Sequence, residues 1–162
     1  MLPKINNFTQ KKETTPFNKK IYPEYDYVMK FDGCSKGNPG LAGCGAVIYR
    51  LGKEIWSDCL FVGEKVTNNY AEYAGLILGL QNARKLEIKK IKIQGDSQLV
   101  INHMKGIYKC NSSNIIELYD SANELGQYFE NIEYEHIYRN ENKRADNLSN
   151  MAVENYLKVN AF

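Results

Sequence analysis

Four acidic residues, Asp32, Glu72, Asp96 and Asp146, stand where a purely structural account of all four together is awkward. Asp32 is expected to close a strand before the Gly-rich loop CSKGNPG, Asp96 to close another before a helix, and Asp146 to sit beside the apolar stripe of the last helix. Singly, each has an ordinary use as a turn residue, an N-cap or a first-turn acid favoured by the helix dipole. Glu72 is the hardest to explain that way. It lies in YAEYAGLILGL (70–80), a run apolar almost all round, and a carboxylate on a buried helix is costly unless something positive compensates it. Strand ends of a mixed sheet gather at one edge, where several bare carboxylates would repel one another and divalent cations would resolve the repulsion. A donor set without His or Cys suits hard ions such as Mg²⁺ or Mn²⁺ and not zinc or copper. Such ions accept phosphate oxygens as co-ligands, so the chemistry indicated is phosphoryl transfer, in which two metals about 3.5–4 Å apart clamp the attacking and leaving oxygens.

The elements that must position these groups follow from periodicity. Tyr27, Met29 and Phe31 alternate with Val28, Lys30 and Asp32, as in a half-buried strand ending at Asp32-Gly33. Two further strands, CGAVIYR (44–50) and EIWSDCLFV (54–62), flank a hairpin turn at Leu51-Gly52-Lys53. Thr67 and Asn68 mark the start of the Glu72 helix. A short strand, KKIKIQ (89–94), runs through Gly95-Asp96 into the helical stretch SQLVINHMKG (97–106). Asn114 with Glu117 resembles a capping box ahead of Ile115, Leu118, Ala122, Leu125 and Phe129, spaced as an amphipathic helix. A strand, IEYEHIY (132–138), precedes a last helix from near Asn140, with Ala145, Leu148, Ala152, Tyr156 and Val159 on one stripe. The order β-β-β-α-β-α-α-β-α implies one mixed sheet covered by helices.

Composition bounds the rest. At 162 residues, 43% hydrophobic and 25% charged, the chain suits one globular domain and excludes fibrous and disordered classes. No apolar run is long enough to cross a bilayer, and the N-terminus lacks the apolar core of a signal peptide, so an intracellular, cytoplasmic location is expected. Cys34, Cys44, Cys59 and Cys110 form no C-x-x-C pair and are expected to be free thiols. The net charge is +2, yet within residues 1–22 Lys4, Lys11, Lys12, Lys19 and Lys20 face only Glu13. Residues 1–24 therefore read as a flexible basic tail and 25–160 as the domain proper.

The stretches FDGCSKGNPGLAGCGAVIY (31–49), TNNYAEYAGLILGL (67–80), GDSQLVINHMKG (95–106) and RNENKRADNLSNMA (139–152) together resemble type 1 ribonuclease H, in order and with matching spacing over about residues 25–158. Four motifs in register form a far more specific signal than a lone Gly-rich loop. The resemblance implies a ribonuclease H-like α/β fold, with a five-stranded mixed sheet of three antiparallel strands then two parallel, flanked by helices. It implies an endonuclease that hydrolyses the RNA strand of RNA–DNA hybrids with Mg²⁺ or Mn²⁺, leaves 5′-phosphate products and works as a monomer away from membranes. The catalytic and metal-holding carboxylates fall on Asp32, Glu72, Asp96 and Asp146. Asp32 is expected to bridge two ions, Glu72 and Asp96 to hold one, and Asp146 the other. Asn38, Thr67, Asn69, Asn68 and Gln98 look like substrate contacts, with turn-forming or capping uses available to Asn38, Thr67 and Asn68 as well.

Two departures stand out. Some relatives insert a Lys- and Trp-rich handle where this chain has only IYKCNSSN (107–114), so it resembles the compact form, with Lys36, Lys105, Lys109, Lys143 and Arg144 as candidate groove charges. Many relatives carry a mobile loop histidine before the last carboxylate, whereas His136 falls in a strand pattern and Arg139 is the candidate for its electrostatic role in substrate binding. His103 reads as a packing or surface residue. The alternative function is a catalytically silent domain of the same fold that binds nucleic acid or a partner.

Overall fold

The computed structural model describes residues 25–161, so the basic tail of residues 1–24 lies outside the described residues. The chain runs β1 (Tyr27–Lys36), β2 (Gly40–Arg50), β3 (Lys53–Val66), α1 (Asn68–Lys85), β4 (Lys90–Gly95), α2 (Gln98–Met104), α3 (Ile116–Gly126), β5 (Asn131–His136), a 3₁₀ turn (Arg139–Glu141) and α4 (Lys143–Val159). The sheet order is β3-β2-β1-β4-β5, with β1–β2 and β2–β3 antiparallel and β1–β4 and β4–β5 parallel. This is the element order and the mixed sheet that the sequence implies.

The hairpin between β2 and β3 turns on Leu51 and Gly52, at φ 48° and 81°, while Arg50 pairs with Lys53. Two left-handed residues make a tight turn whose twist matches that of the flanking strands. α1 lies over β1 and β2. Its buried positions Ala71, Glu72, Gly75, Leu76, Gly79, Leu80 and Ala83 recur at helical spacing. Beneath it Met29, Phe31, Ala46, Ile48, Ile91 and Ile93 form the main core with Val100, Ile101 and Ala122 from α2 and α3. α4 covers the other face of β2, where Gly43 and Gly45 leave room for Ser149 and Leu148. The ring of Tyr156 stacks flat on Phe61 of β3, 3.7 Å between centroids.

Several local expectations are corrected. β1 does not stop at Asp32-Gly33 but continues to Lys36, because Cys34, Ser35 and Lys36 pair with Gly43, Ala42 and Leu41. The Asn114–Glu117 capping box does not form: α3 starts at Ile116 behind Ile115, with no side-chain cap. Phe129 packs into the core from beyond the helix end at Gly126. α4 starts at Lys143 and not near Asn140, because Arg139–Glu141 forms the 3₁₀ turn, and Val159 at its far end is 79% exposed. All four cysteines are free thiols. Residues 105–115 pass from α2 to α3 without a further helix. Among the described residues, no helix is long and apolar enough to cross a membrane.

Candidate functional site

Asp32 sits in the interior of β1, opposite Gly45 of β2, with the β4 side pairing Phe31 to Gly95. Parallel register therefore brings Asp96, the residue after β4, alongside Asp32. Glu72 arrives from the second turn of α1, whose start Thr67 caps by accepting from the Tyr70 amide at 3.2 Å. Asp32, Glu72 and Asp96 can each present an oxygen so that all three atoms lie within 4.8 Å of one another.

The electrostatics of this cluster are strained. Asp32 and Glu72 are both buried, at 5% and 4% exposure. Burial first, and the Asp96 charge next, push the Asp32 carboxyl up to about 7, with Asp146 adding to the effect. Burial pushes Glu72 well above the usual carboxylate range too, followed by the charges of Asp32 and Asp96 and a hydrogen bond shared with Asp32. Oε2 of Glu72 is buried with no hydrogen-bond partner. An all-oxygen donor set beside a buried carboxylate oxygen with no hydrogen-bond partner fits a hard divalent cation. Charge of opposite sign inserted there would relieve both the repulsion and the unmet acceptor.

Asp146 stands outside this triad. It lies half-buried in the first turn of α4, where Asn150 Nδ2 donates to its Oδ1 at 3.3 Å and to its carbonyl at 2.9 Å. Lys36 Nζ in turn donates to Asn150 Oδ1. Three of the four expected carboxylates thus converge, and the fourth is tethered at the rim.

The other expected residues are distributed unevenly. Asn38, Thr67 and Asn69 line one hollow of about 300 Å³ with His103, Asn111 and Asn114. Asn38 Oδ1 also accepts from the Asn68 amide at 2.9 Å, so it fixes the start of α1 as well as facing the hollow. Gln98 is exposed at the start of α2 and Arg139 is exposed in the 3₁₀ turn, neither lining that hollow. Arg144 is engaged by Glu54 at 2.8 Å and by Ser57. His136 closes β5, and its Nε2 donates to the Asp96 carbonyl at 3.2 Å. His103 is a packing residue, buried with Nδ1 2.7 Å from the Tyr73 hydroxyl.

Sequence reasoning missed Asn142. It is fully buried, and its Nδ2 donates to Phe31 O at 2.9 Å and to Asp96 Oδ2 at 3.0 Å. The only signal available was an Asn just ahead of a helix, which reads as an ordinary N-cap.

A family model described as "Reverse transcriptase-like" matches residues 30–152. A bifunctional protein of Mycobacterium tuberculosis is 38% identical over 78% of this chain, which spans 35% of that protein's length. The solved N-terminal RNase H domain of the M. tuberculosis protein rv2228c, a maltose-binding-protein fusion, aligns with a TM-score of 0.78 at 37% identity, covering 82% of this chain and 96% of that one. RNase H1 from the halophilic archaeon Halobacterium salinarum aligns at 0.76 and 34% identity, over 80% and 98% of the two chains. LC11-RNase H1, solved in complex with an RNA/DNA hybrid, aligns at 0.76 and 31% identity, over 81% and 99%.

Proposed function

The chain belongs to the type 1 ribonuclease H family, in the compact form without the basic handle, and on that premise we propose that residues 25–160 form an endonuclease that hydrolyses the RNA strand of RNA–DNA hybrids to 5′-phosphate products. The observation that carries this reading is the convergence of Asp32, Glu72 and Asp96 from β1, α1 and the end of β4, with donor oxygens within 4.8 Å. A similar enzyme solved with an RNA/DNA hybrid supports the substrate class.

Asp32, Glu72 and Asp96 would hold one Mg²⁺ or Mn²⁺, and Asp32 with Asp146 a second. When bound, the ions supply Lewis-acid activation of an attacking water and stabilise charge on the departing oxygen. The chain does the rest. Burial of Asp32 and Glu72 between β1 and α1 holds their oxygens in fixed positions, so no side chain has to reorganise as substrate arrives. Asp146, half-buried in the first turn of α4, would meet the second ion from the other side of Asp32. Asn38, Asn68 and Asn69 offer amide groups to sugar and base edges, and Thr67 a hydroxyl to a phosphate of the DNA strand. Contacts to 2′-hydroxyls in the groove would select RNA, since DNA cannot supply them.

Labelled RNA–DNA hybrid, duplex DNA and duplex RNA, each incubated with the protein in Mg²⁺ and in EDTA, test the reading. Cleavage of the hybrid's RNA strand alone, abolished by EDTA, is expected. Binding of hybrid without cleavage would replace the reading with a silent nucleic-acid-binding domain, and cleavage of duplex RNA or DNA would replace the substrate.

A further inference from the structure

Asn142 breaks two local rules at once. It is the N-cap residue of α4, and Asn is among the strongest N-capping types, yet its side chain makes no cap hydrogen bond. Its Oδ1 is also buried without a partner. The amide cannot simply be turned round. Phe31 O and Asp96 Oδ2 are both acceptors, so only Nδ2, with two protons to give, can face them. A capping bond is forgone and an acceptor is left unmet in order to place one donor group between a β1 carbonyl and the Asp96 carboxylate. Local preferences that are overridden beside a candidate site point to function there.

The bridge joins the elements that carry the site. Phe31 precedes Asp32, Asp96 follows β4, and Asn142 O accepts from the amide of Asp146 at 3.1 Å in the first turn of α4. We infer that Asn142 is a positioning residue, whose buried amide locks the Asp96 carboxylate and the Asp146-bearing helix to β1 so that their oxygens meet the cluster in one orientation. The inference rests on the reading of that cluster as a hydrolytic metal centre. Asn142 is fully buried and cannot reach a substrate, so its effect must fall on the carboxylates.

The test is Asn142→Ser, because Ser caps helices as well as Asn does but is too short to span both acceptors. Melting in EDTA is expected within about 5 °C of wild type. On hybrid with Mg²⁺, kcat should fall roughly 10- to 100-fold while KM stays within about twofold, the range seen when a ligand's supporting hydrogen bond is removed. Calorimetric titration with MnCl₂ and no nucleic acid should show affinity weakened roughly tenfold. Wild-type kcat or wild-type Mn²⁺ affinity in the folded variant would overturn the inference, as would a loss of rate that only tracks lost melting temperature. If Asn142→Ser does not fold, Asn142→Thr, which also caps helices and is too short to span both acceptors, carries the same expectations. Failure of both to fold would make Asn142 structural and overturn the inference. If wild type cuts no hybrid, the functional reading fails and the Mn²⁺ titration alone decides the role of Asn142.

Discussion

Gly33 lies directly beneath Ala71: a Cβ built on Gly33 would fall 2.2 Å from the Ala71 carbonyl carbon and 2.3 Å from the Glu72 amide nitrogen. From the helix side, a Cβ on Gly75 would come within 2.5 Å of Asp32 O. Backbone therefore packs on backbone where β1 meets α1, and this close approach brings Glu72 to Asp32. A side chain at either glycine would hold the two carboxylates apart.

Gly33→Ala is accordingly expected to destabilise the protein by about 3 kcal/mol, the upper part of the usual range for overpacking, since the nearest atoms are main chain and cannot swing aside. Cleavage should fall further than stability accounts for. An outward shift of α1 by about 1 Å carries Glu72 with it, and displacements of that size can cost roughly 100-fold in rate. Urea unfolding read beside hybrid cleavage checks both, and a variant neutral in both would contradict the packing account.

Asp96→Asn keeps the acceptor that Asn142 addresses but deletes a ligand charge. Cleavage should drop by well over tenfold in Mg²⁺ while circular dichroism and hybrid binding persist. Because the Asp96 charge is among the causes that raise both Asp32 and Glu72, the variant should melt higher than wild type in EDTA. Cleavage within tenfold of wild type would remove Asp96 from the metal centre.

The Asp32 carboxyl has an ordinary value of 3.8 and is pushed up to about 7 in the folded protein, so the folded state holds a proton that the unfolded chain has released. Its contribution to stability is complete below about pH 4 and is lost as pH rises through about 7. In EDTA, the melting temperature of Asp32→Asn relative to wild type should therefore climb from pH 4 to pH 7 and then level off. Saturating Mg²⁺ should raise wild type above the variant at pH 7, since a cation favours the ionised carboxylate. A difference between the two proteins that does not change with pH would refute the shift.

Selection of RNA is expected to rest on the groove residues and not on the cations, which meet the same phosphate in either nucleic acid. DNA carrying a single ribonucleotide should be cut poorly and a run of about four or more cut well, if several 2′-hydroxyl contacts act together. Asn69→Ala, at the exposed lip of the Asn38–Thr67 hollow, should lose activity on the long run without gaining any on duplex DNA. Efficient incision at a lone ribonucleotide would point to recognition of the RNA–DNA junction.

The sequence by itself determined the element order, the Leu51-Gly52 hairpin and the start of α1 at Thr67-Asn68, because each depends on residues within a turn or a strand of one another, and the mixed sheet followed from that order by the rules of chain connection. The carboxylates were legible as types in motifs, with Glu72 marked out by the apolar helix around it. Tertiary structure alone decided that Asp32 lies inside a strand, since β1 runs past it only by pairing with Gly43, Ala42 and Leu41 of β2. It also decided that Asp146 stands outside the triad, and that Asn142 abandons its cap for Phe31, 111 residues away, and for Asp96, 46 away. Periodicity and capping preferences describe a residue's near neighbours. A buried donor goes to the strongest acceptor that packing brings within reach, and no local pattern records which one that is.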